Sequence, residues 1–261
     1  MEPRAAAHRS DPSQTIRLSE RSAPAVRTER LPFTVRKVET EADLRQAVKV
    51  RQAAYARHVP AFARTLALPE AADLADDGIV LLAESKLDGS ALGSTRIRTN
   101  LQRPLDMEDS LALPDWLQGR RLVEATRLGV DEGRLGRLVK MALIKACFMY
   151  CKQHEIDWSV ATARAGVDRQ YEQLLFRDVF PDAPPIPLRH VGNLPHRVMA
   201  FEIETFEERY AAARHPLLDF FFYTHHPDID AGTRAPQRTT AAPPRRVAGT
   251  LRVPAFQFVA A

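Results

Sequence analysis

Cysteine is nearly absent from the 261 residues: Cys147 and Cys151 are the only two, one helical turn apart. Two thiols four residues apart cannot staple a small secreted scaffold, and no second pair is present to complete a zinc site. Both are expected to be reduced core residues, which places the chain in the cytoplasm. Long apolar runs are missing too. None approaches the roughly 20 residues of a membrane-spanning helix, and the N-terminal stretch has no continuous apolar segment of the kind a secretory signal carries. The eight histidines stand at no ligand spacing with cysteine or carboxylate, so no metal is expected. No internal repeat is visible.

Arginine is abundant and supplies most of a net charge of +4 and a pI near 9.3. Both ends carry much of it. Residues 1–30 hold six Arg with little apolar periodicity, and residues 231–261 hold five Arg, four Pro and no acidic residue. Such compositions read as disordered tails over 1–30 and 227–261, flanking one domain over 31–226. A basic tail is either simply solvated or touches nucleic acid, membrane or an acidic protein. The 45% hydrophobic content is enough for a sizeable core.

The chain between the tails alternates strands and helices. Phe33–Val38 reads as a strand. Thr40 is placed to cap a helix from about Ala42 to Arg57, with Asp43 at its third position. That helix has an apolar stripe of Leu44, Ala47, Val48 and Tyr55, interrupted by Arg51, which either reaches out to solvent or meets a buried anion. Residues 60–78 form a long connection containing Asp73, Asp76 and Asp77, with at most a short helix around Ala61–Leu66. A connection of that length often covers a site. Ile79–Glu84 and Ala91–Arg98 form a hairpin through Asp88-Gly89. On its second strand Ser94, Arg96 and Arg98 share one face. After a second Pro-containing connection come a strand, Leu122–Val130, a turn, and a helix from about Leu135 to Gln153 whose apolar face is Leu135, Leu138, Val139, Ala142, Leu143, Ala146, Cys147 and Tyr150. A strand at Ile156–Ala163, a helix at Val167–Phe176, strands at Ile186–Val191 and Val198–Phe206 and a last short helix complete a mixed sheet with helices on it.

The strand Leu122–Val130 carries the chemistry. Residues three apart on a regular strand face opposite ways, so Glu124 and Arg127 can serve one site only if a bulge lies between them, and bulges cluster beside active sites. A bulge also frees a backbone N–H for an acyl oxygen. The following helix N-terminus, with Arg134 and Arg137, is able to receive a phosphate. The pattern describes a cradle for a phosphate-bearing acyl thioester or, equally, a structural ion pair.

These residues resemble a known family. The layout is similar to the GCN5-related N-acetyltransferase fold, an α/β mixed sheet flanked by helices. More narrowly, it resembles the branch holding the acyl-homoserine-lactone (autoinducer) synthases and the N-acyl amino acid synthases. Four segments carry the resemblance, from about Phe33 to Phe206. Arg51-Gln-Ala-Ala-Tyr55-Ala-Arg57 is similar to an Arg-x-x-x-aromatic-x-x-Arg motif, one residue short at its second Arg. Asp73-Leu-Ala-Asp76 resembles an Asp-x-x-Asp, Gly93-Ser-Thr-Arg96 a Gly-x-x-Arg, and Glu124-Ala-Thr-Arg127-Leu-Gly-Val130 the Glu-x-x-Arg strand.

The resemblance implies a bacterial acyltransferase with no bound cofactor. Its donor would be a fatty acyl chain on the phosphopantetheine of acyl carrier protein, with acyl-CoA second, and its acceptor a small amino acid. Glu124 would take the amine's proton, with Arg127 and Arg51 beside it in the catalytic group. Arg96, Tyr55, Asp73 and Asp76 would order the acceptor side, where arginine suits a carboxylate. Arg134, Gly136, Arg137, Lys140 and Tyr171 would meet the donor and its acidic carrier. No nucleic-acid partner is expected; peripheral membrane contact through the product or the tails is left open. Two departures bear on this. The autoinducer synthases have a Trp shortly after the first motif, where this chain has His58-Val59-Pro60-Ala61, and that favours an amino acid acceptor. The Gly motif of acetyl-CoA-dependent members is incomplete at Arg134-Leu-Gly136-Arg137. Homoserine-lactone synthesis, acyl-CoA-dependent N-acetyl transfer and a non-enzymatic binding role for the basic tails stand as alternatives.

Overall fold

A computed structural model describes residues 26–232. The elements are β1 (Arg27–Thr28), β2 (Phe33–Lys37), α1 (Glu41–Ala56), α2 (Pro60–Ala63), β3 (Gly78–Ser85), β4 (Ala91–Thr99), β5 (Leu122–Val130), α3 (Gly136–Gln153), β6 (Trp158–Ala163), α4 (Asp168–Glu172), β7 (Arg177–Asp178), β8 (Ile186–Leu188), β9 (Leu194–Glu202), α5 (Phe206–Ala212) and β10 (Thr224–His225). The main sheet runs β2-β3-β4-β5-β6-β9-β7, with β8 paired to β9. This is the mixed α/β architecture expected.

All pairs in that sheet are antiparallel except β5 and β6. A parallel pair needs a long crossover, and α3 provides it. The pairing is short: it covers Leu122↔Trp158, Val123↔Ser159 and Glu124↔Val160, and then stops. Beyond Glu124 the edge of β5 that faces β6 has no strand against it.

Local signals explain the helices. Thr40 caps α1 by accepting from the Asp43 amide at 3.1 Å, and the Asp43 carboxylate accepts from the Thr40 amide at 3.2 Å. On α3, Val139, Ala142, Leu143, Ala146, Cys147 and Cys151 are buried against Phe33, Leu81, Ile97 and Phe201 on one sheet face. Both cysteines are free. The other face has two apolar patches. Leu44, Ala47 and Val48 of α1 cover Val80 and Leu82, while Leu105, Met107 and Leu117 cover Leu122, Trp158 and Val160. Between the patches the sheet presents Arg96, Arg98 and Glu124, all buried.

Several expected boundaries are corrected. Packed structure begins before residue 31 and continues past 226: β1 pairs with β10, and the Asp228 carbonyl accepts from the Val35 amide at 2.8 Å. The open edge of β2 draws in residues 228–230, since its backbone groups would otherwise face solvent unpaired, and β10 just before them holds β1. The remainder of the expected tails, 1–25 and 233–261, lies outside the described residues. The helix expected to reach Phe176 ends at Glu172, because Leu175 turns the chain at φ 64°. The strand expected over Ile186–Val191 stops at Leu188, where a 3-10 turn, Arg189–Val191, takes over. Among the described residues no helix is long and apolar enough to cross a membrane.

Gly129 lets α1 lie directly on β5. A Cβ there would sit 3.0 Å from both the Arg51 Cα and the Ala54 Cβ. Gly129→Ala is expected to lower stability by about 1–3 kcal/mol, read as a shift of the urea midpoint at constant m-value.

Candidate active site

The anticipated bulge is present. Ser94 pairs with Gly129 but Arg96 with Thr126, so β5 carries one extra residue there, and Arg127 takes φ 55°. A non-glycine residue in that region persists only when its surroundings hold it. The Arg127 guanidinium is held by both carboxylate oxygens of Glu70, each at 2.8 Å, and by the His190 carbonyl at 2.8 Å. The Phe62 ring of α2 covers it, 5.2 Å from centroid to guanidinium carbon.

Arg127 belongs to a buried array of arginines and carboxylates. Arg51 meets a buried anion after all: Asp73 takes both its terminal nitrogens, at 2.9 and 2.6 Å. Arg96 donates to Glu70 at 3.0 Å, to Asp73 at 3.2 Å and to the Thr126 hydroxyl at 3.2 Å. Arg98 bonds Asp106, and Asp77 at 2.6 Å. Burial pushes the Glu70 and Asp73 carboxyls up, but hydrogen bonds from Arg127 and Arg51 outweigh it and hold both below their ordinary values.

Glu124 stands in the same array without a bond. It is 0% exposed, and neither carboxylate oxygen has a hydrogen-bond partner among the described residues. Burial first, and the nearby Asp106 charge second, raise its pKa to about 7 against the pull of Arg96, Arg98 and Arg127. His190 Nε2 lies 3.6 Å from Glu124 Oε1. Burial and Arg127 lower this imidazole to about 4, so it is neutral near pH 7. A carboxyl poised near neutrality can take up and return a proton near pH 7 without a large energetic step, and the neutral imidazole beside it does not compete for that proton.

Where β5 and β6 part, a cavity of about 410 Å³ opens. Its walls come from Tyr55, His58 and Phe62 on one side, Thr126–Val130 of β5, and Lys140, Ile144, Arg164 and Tyr171 on the other. Burial raises the Tyr55 and Tyr171 phenols above their usual range. Lys140 bonds Gln170 across the cavity, and burial together with Arg137 lowers its pKa.

Of the residues singled out from sequence, Arg51, Asp73, Arg96, Glu124 and Arg127 converge, and Tyr55, Arg127, Lys140 and Tyr171 line the cavity. Arg134 and Arg137 are exposed at the start of α3, and Gly136 serves the turn, where a Cβ would lie 2.5 Å from the Asp131 carbonyl. Asp76 is a correction. It is exposed, while its neighbour Asp77 is buried and bonded to Arg98 and to Arg103 at 2.5 Å. The turn through Asp73 and Leu74 sends one of two adjacent carboxylates inward, and residue type alone does not say which. Glu70, Asp106 and His190 were missed. Among the described residues no group of His, Cys, Asp and Glu is placed to hold a metal.

No family model and no curated protein matches this sequence. Solved structures do. An N-acyl amino acid synthase from uncultured soil microbes, FeeM, superposes with a TM-score of 0.54 at 17% identity, over 72% of this chain and 96% of that one. A CoA-dependent acyl-homoserine lactone synthase, BjaI, gives 0.48 at 15% identity over 74% and 93%. Arabidopsis thaliana NAA60 in complex with acetyl-CoA gives 0.46 at 17% over 66% and 99%. The likeness to FeeM, at 17% identity, establishes a shared fold, the one the sequence motifs resembled.

Two outcomes check this geometry. Asp73→Asn strips the anion from Arg51 and should cost about 3–5 kcal/mol, whereas Asp76→Asn should stay within about 0.5 kcal/mol of the parent. Glu124 has its pKa raised on folding, from 4.5 to about 7. The stability it contributes is therefore present below about pH 4.5 and lost as pH rises through 7. Between those limits the parent chain should lose on the order of 3 kcal/mol relative to Glu124→Gln in urea titrations.

Proposed function

We propose that this chain is an N-acyltransferase that moves a fatty acyl group from the thioester of acyl carrier protein to the α-amine of an amino acid, giving an N-acyl amino acid. The observation that carries the reading is Glu124, a fully buried and unbonded carboxyl at the point where β5 and β6 separate. A thioester is attacked by a free amine, not an ammonium, so a carboxyl with a pKa near 7 suits the proton's first stop. The fold shared with an N-acyl amino acid synthase supports the same class of reaction.

The donor side follows from the cavity. Phe62, Leu128, Ile144, Val167 and Leu174 give it apolar walls for an acyl chain. The open edge of β5 offers main-chain groups to the amides of a pantetheine arm and to the thioester oxygen. Lys140 and Arg164 at the cavity suit the arm's phosphate, and the exposed Arg134 and Arg137 suit the acidic surface of a carrier protein. On the acceptor side an incoming carboxylate reaches Arg127 and Arg96 by displacing Glu70, a partly exposed member of the array that bonds both.

Incubating the protein with acylated carrier protein and the common amino acids should yield long-chain N-acyl amino acids by mass spectrometry. Glu124→Gln should lower turnover by roughly 10²-fold or more. Reversing charge with Arg134→Glu and Arg137→Glu should raise KM for the acylated carrier and leave a short acyl-pantetheine donor unaffected. A lactone product with S-adenosylmethionine as acceptor, or turnover confined to acetyl-CoA, would replace the reading.

A further inference from the structure

Glu124 and His190 share a feature that packing does not explain. Four buried polar atoms, both carboxylate oxygens and both ring nitrogens, lack a hydrogen-bond partner among the described residues, and two of them are 3.6 Å apart. Protein interiors seldom leave one such atom unmatched. Three of the four are acceptors, both oxygens of the carboxylate and the bare nitrogen of the neutral imidazole. With Nδ1 carrying the ring hydrogen the bare nitrogen is Nε2, and the three mark a place for something with hydrogens to donate.

We propose that Glu124 and His190 together form a two-acceptor seat for the nitrogen of the acyl acceptor, and that this seat selects a primary amine. The inference rests on the acyl-transfer reading and deepens it: it names the atoms that hold the acceptor's nitrogen and makes the number of hydrogens on that nitrogen a determinant of specificity. A nitrogen about 2.9 Å from each of two atoms is an ordinary hydrogen-bond geometry, and two atoms 3.6 Å apart are close enough for one nitrogen to reach both once the pair opens toward the adjoining cavity. A free primary amine has two N–H bonds. With one given to Glu124 Oε1 and the other to His190 Nε2, its lone pair is left free to meet the thioester carbon. An N-methyl amine or an alcohol has a single hydrogen to give and leaves one buried acceptor unmatched.

The surroundings fit the role. The pair lies one residue behind the cavity wall, which includes Ala125 and Thr126 next to Glu124 and Val191 next to His190. Arg127 fixes the His190 backbone through its carbonyl at 2.8 Å and itself lines the cavity. The charges facing Glu124 are Asp106, Arg96, Arg98 and Arg127. Those facing His190 are Arg127, Asp106, His196 and Arg96. The three arginines among them, Arg96, Arg98 and Arg127, are each paired with a carboxylate of the array, so none competes for the seat.

The proton balance closes. The acceptor arrives as an ammonium and gives one proton to Glu124 Oε2, keeping Oε1 as an acceptor. Nitrogen attacks, the carbonyl pair moves to oxygen and returns, and the C–S bond breaks. The nitrogen's second proton passes through His190 Nε2 to the departing thiolate. Amide and thiol form, and the proton held by Glu124 returns to solvent.

The test uses the full chain, carrier protein charged with a long acyl group, and glycine, alanine and leucine beside their N-methyl forms. Primary amines should be favoured by roughly 10²-fold or more in kcat/KM. His190→Phe should bring that ratio within about tenfold, and His190→Gln, which keeps an acceptor, should restore part of it. Equal use of both amines by the parent chain, or an unchanged ratio in folded His190→Phe, overturns the seat. A second readout does not depend on turnover. With labelled Glu and His, methylamine should shift the Glu124 carboxyl and His190 ring resonances together, and trimethylamine should not. A joint shift without acyl transfer upholds the seat and removes the acyl-transfer reading. Transfer without a joint shift does the reverse.

Discussion

Four arginines on rigid elements need anions, and much of this molecule is arranged to supply them. Arg51 on α1, Arg96 and Arg98 on β4 and Arg127 on β5 are all buried. Their carboxylates, Glu70, Asp73, Asp77 and Asp106, all come from the two long connections before β3 and β5. An unpaired guanidinium inside a protein is far costlier than a paired one is favourable. The connections are therefore positioned by charge: a shift in either would strand a buried cation. The connections also bury apolar residues, Leu66 in the first and Leu105, Met107 and Leu117 in the second, but between the two apolar patches the sheet offers them ions instead of methyl groups.

Glu124 acquires its character by what that arrangement leaves over. Each of the four arginines already has a loop carboxylate, and Asp106 adds a negative charge nearby. Burial is then opposed only by longer-range attraction, and the carboxyl is held near neutrality. Were Glu70 or Asp106 missing, an arginine would turn to Glu124, lower its pKa and remove its ability to hold a proton near pH 7. The loops thus do two things at once: they neutralise the arginines, and they keep those arginines off the carboxyl. Stability and chemistry pull apart here, since an uncompensated buried carboxylate is a cost that the fold tolerates.

Much of this was legible in sequence, and the exceptions have physical reasons. The cap at Thr40, the hairpin at Asp88-Gly89 and the limits of β5 follow from local rules, and each is found. A bulge on β5, expected if Glu124 and Arg127 were to share a site, lies at Arg127 and Leu128, just past the regular pairs of Glu124 to Thr126. Arg51 in an apolar stripe posed a question that one helix cannot answer; only Asp73, 22 residues away and paired with it at 2.6 Å, resolves it. Asp76 was expected inside where Asp77 is found, because an irregular turn has no periodicity from which to read direction. Glu70 and His190 lie in connections whose sequence carries no spacing signal, yet each touches the array from a distance. The edge packing of residues 26–30 and 227–232 escaped for the opposite reason: their composition resembles a tail, but the exposed edge of β2 gave residues 228–230 a partner, and β10 gave one to β1.

The parting of β5 and β6 finally decides which faces of the sheet one cavity can join, and on the proposed reading how donor and acceptor meet. Tyr55 belongs to α1 and Ile144 to α3, and these helices cover opposite faces of the sheet. In a continuous sheet no cavity could include both. Here both line one cavity, because pairing stops at Glu124↔Val160 and the gap passes through the plane of the sheet. A donor lying against α3 and an acceptor held on the α1 side would then approach each other across the edge of β5, beside the residue where the strands begin to separate. That residue is Glu124. Its place at the apex is set by the register of β5 on β6, so a shift of one residue in that pairing would turn its carboxyl to the apolar face under α3.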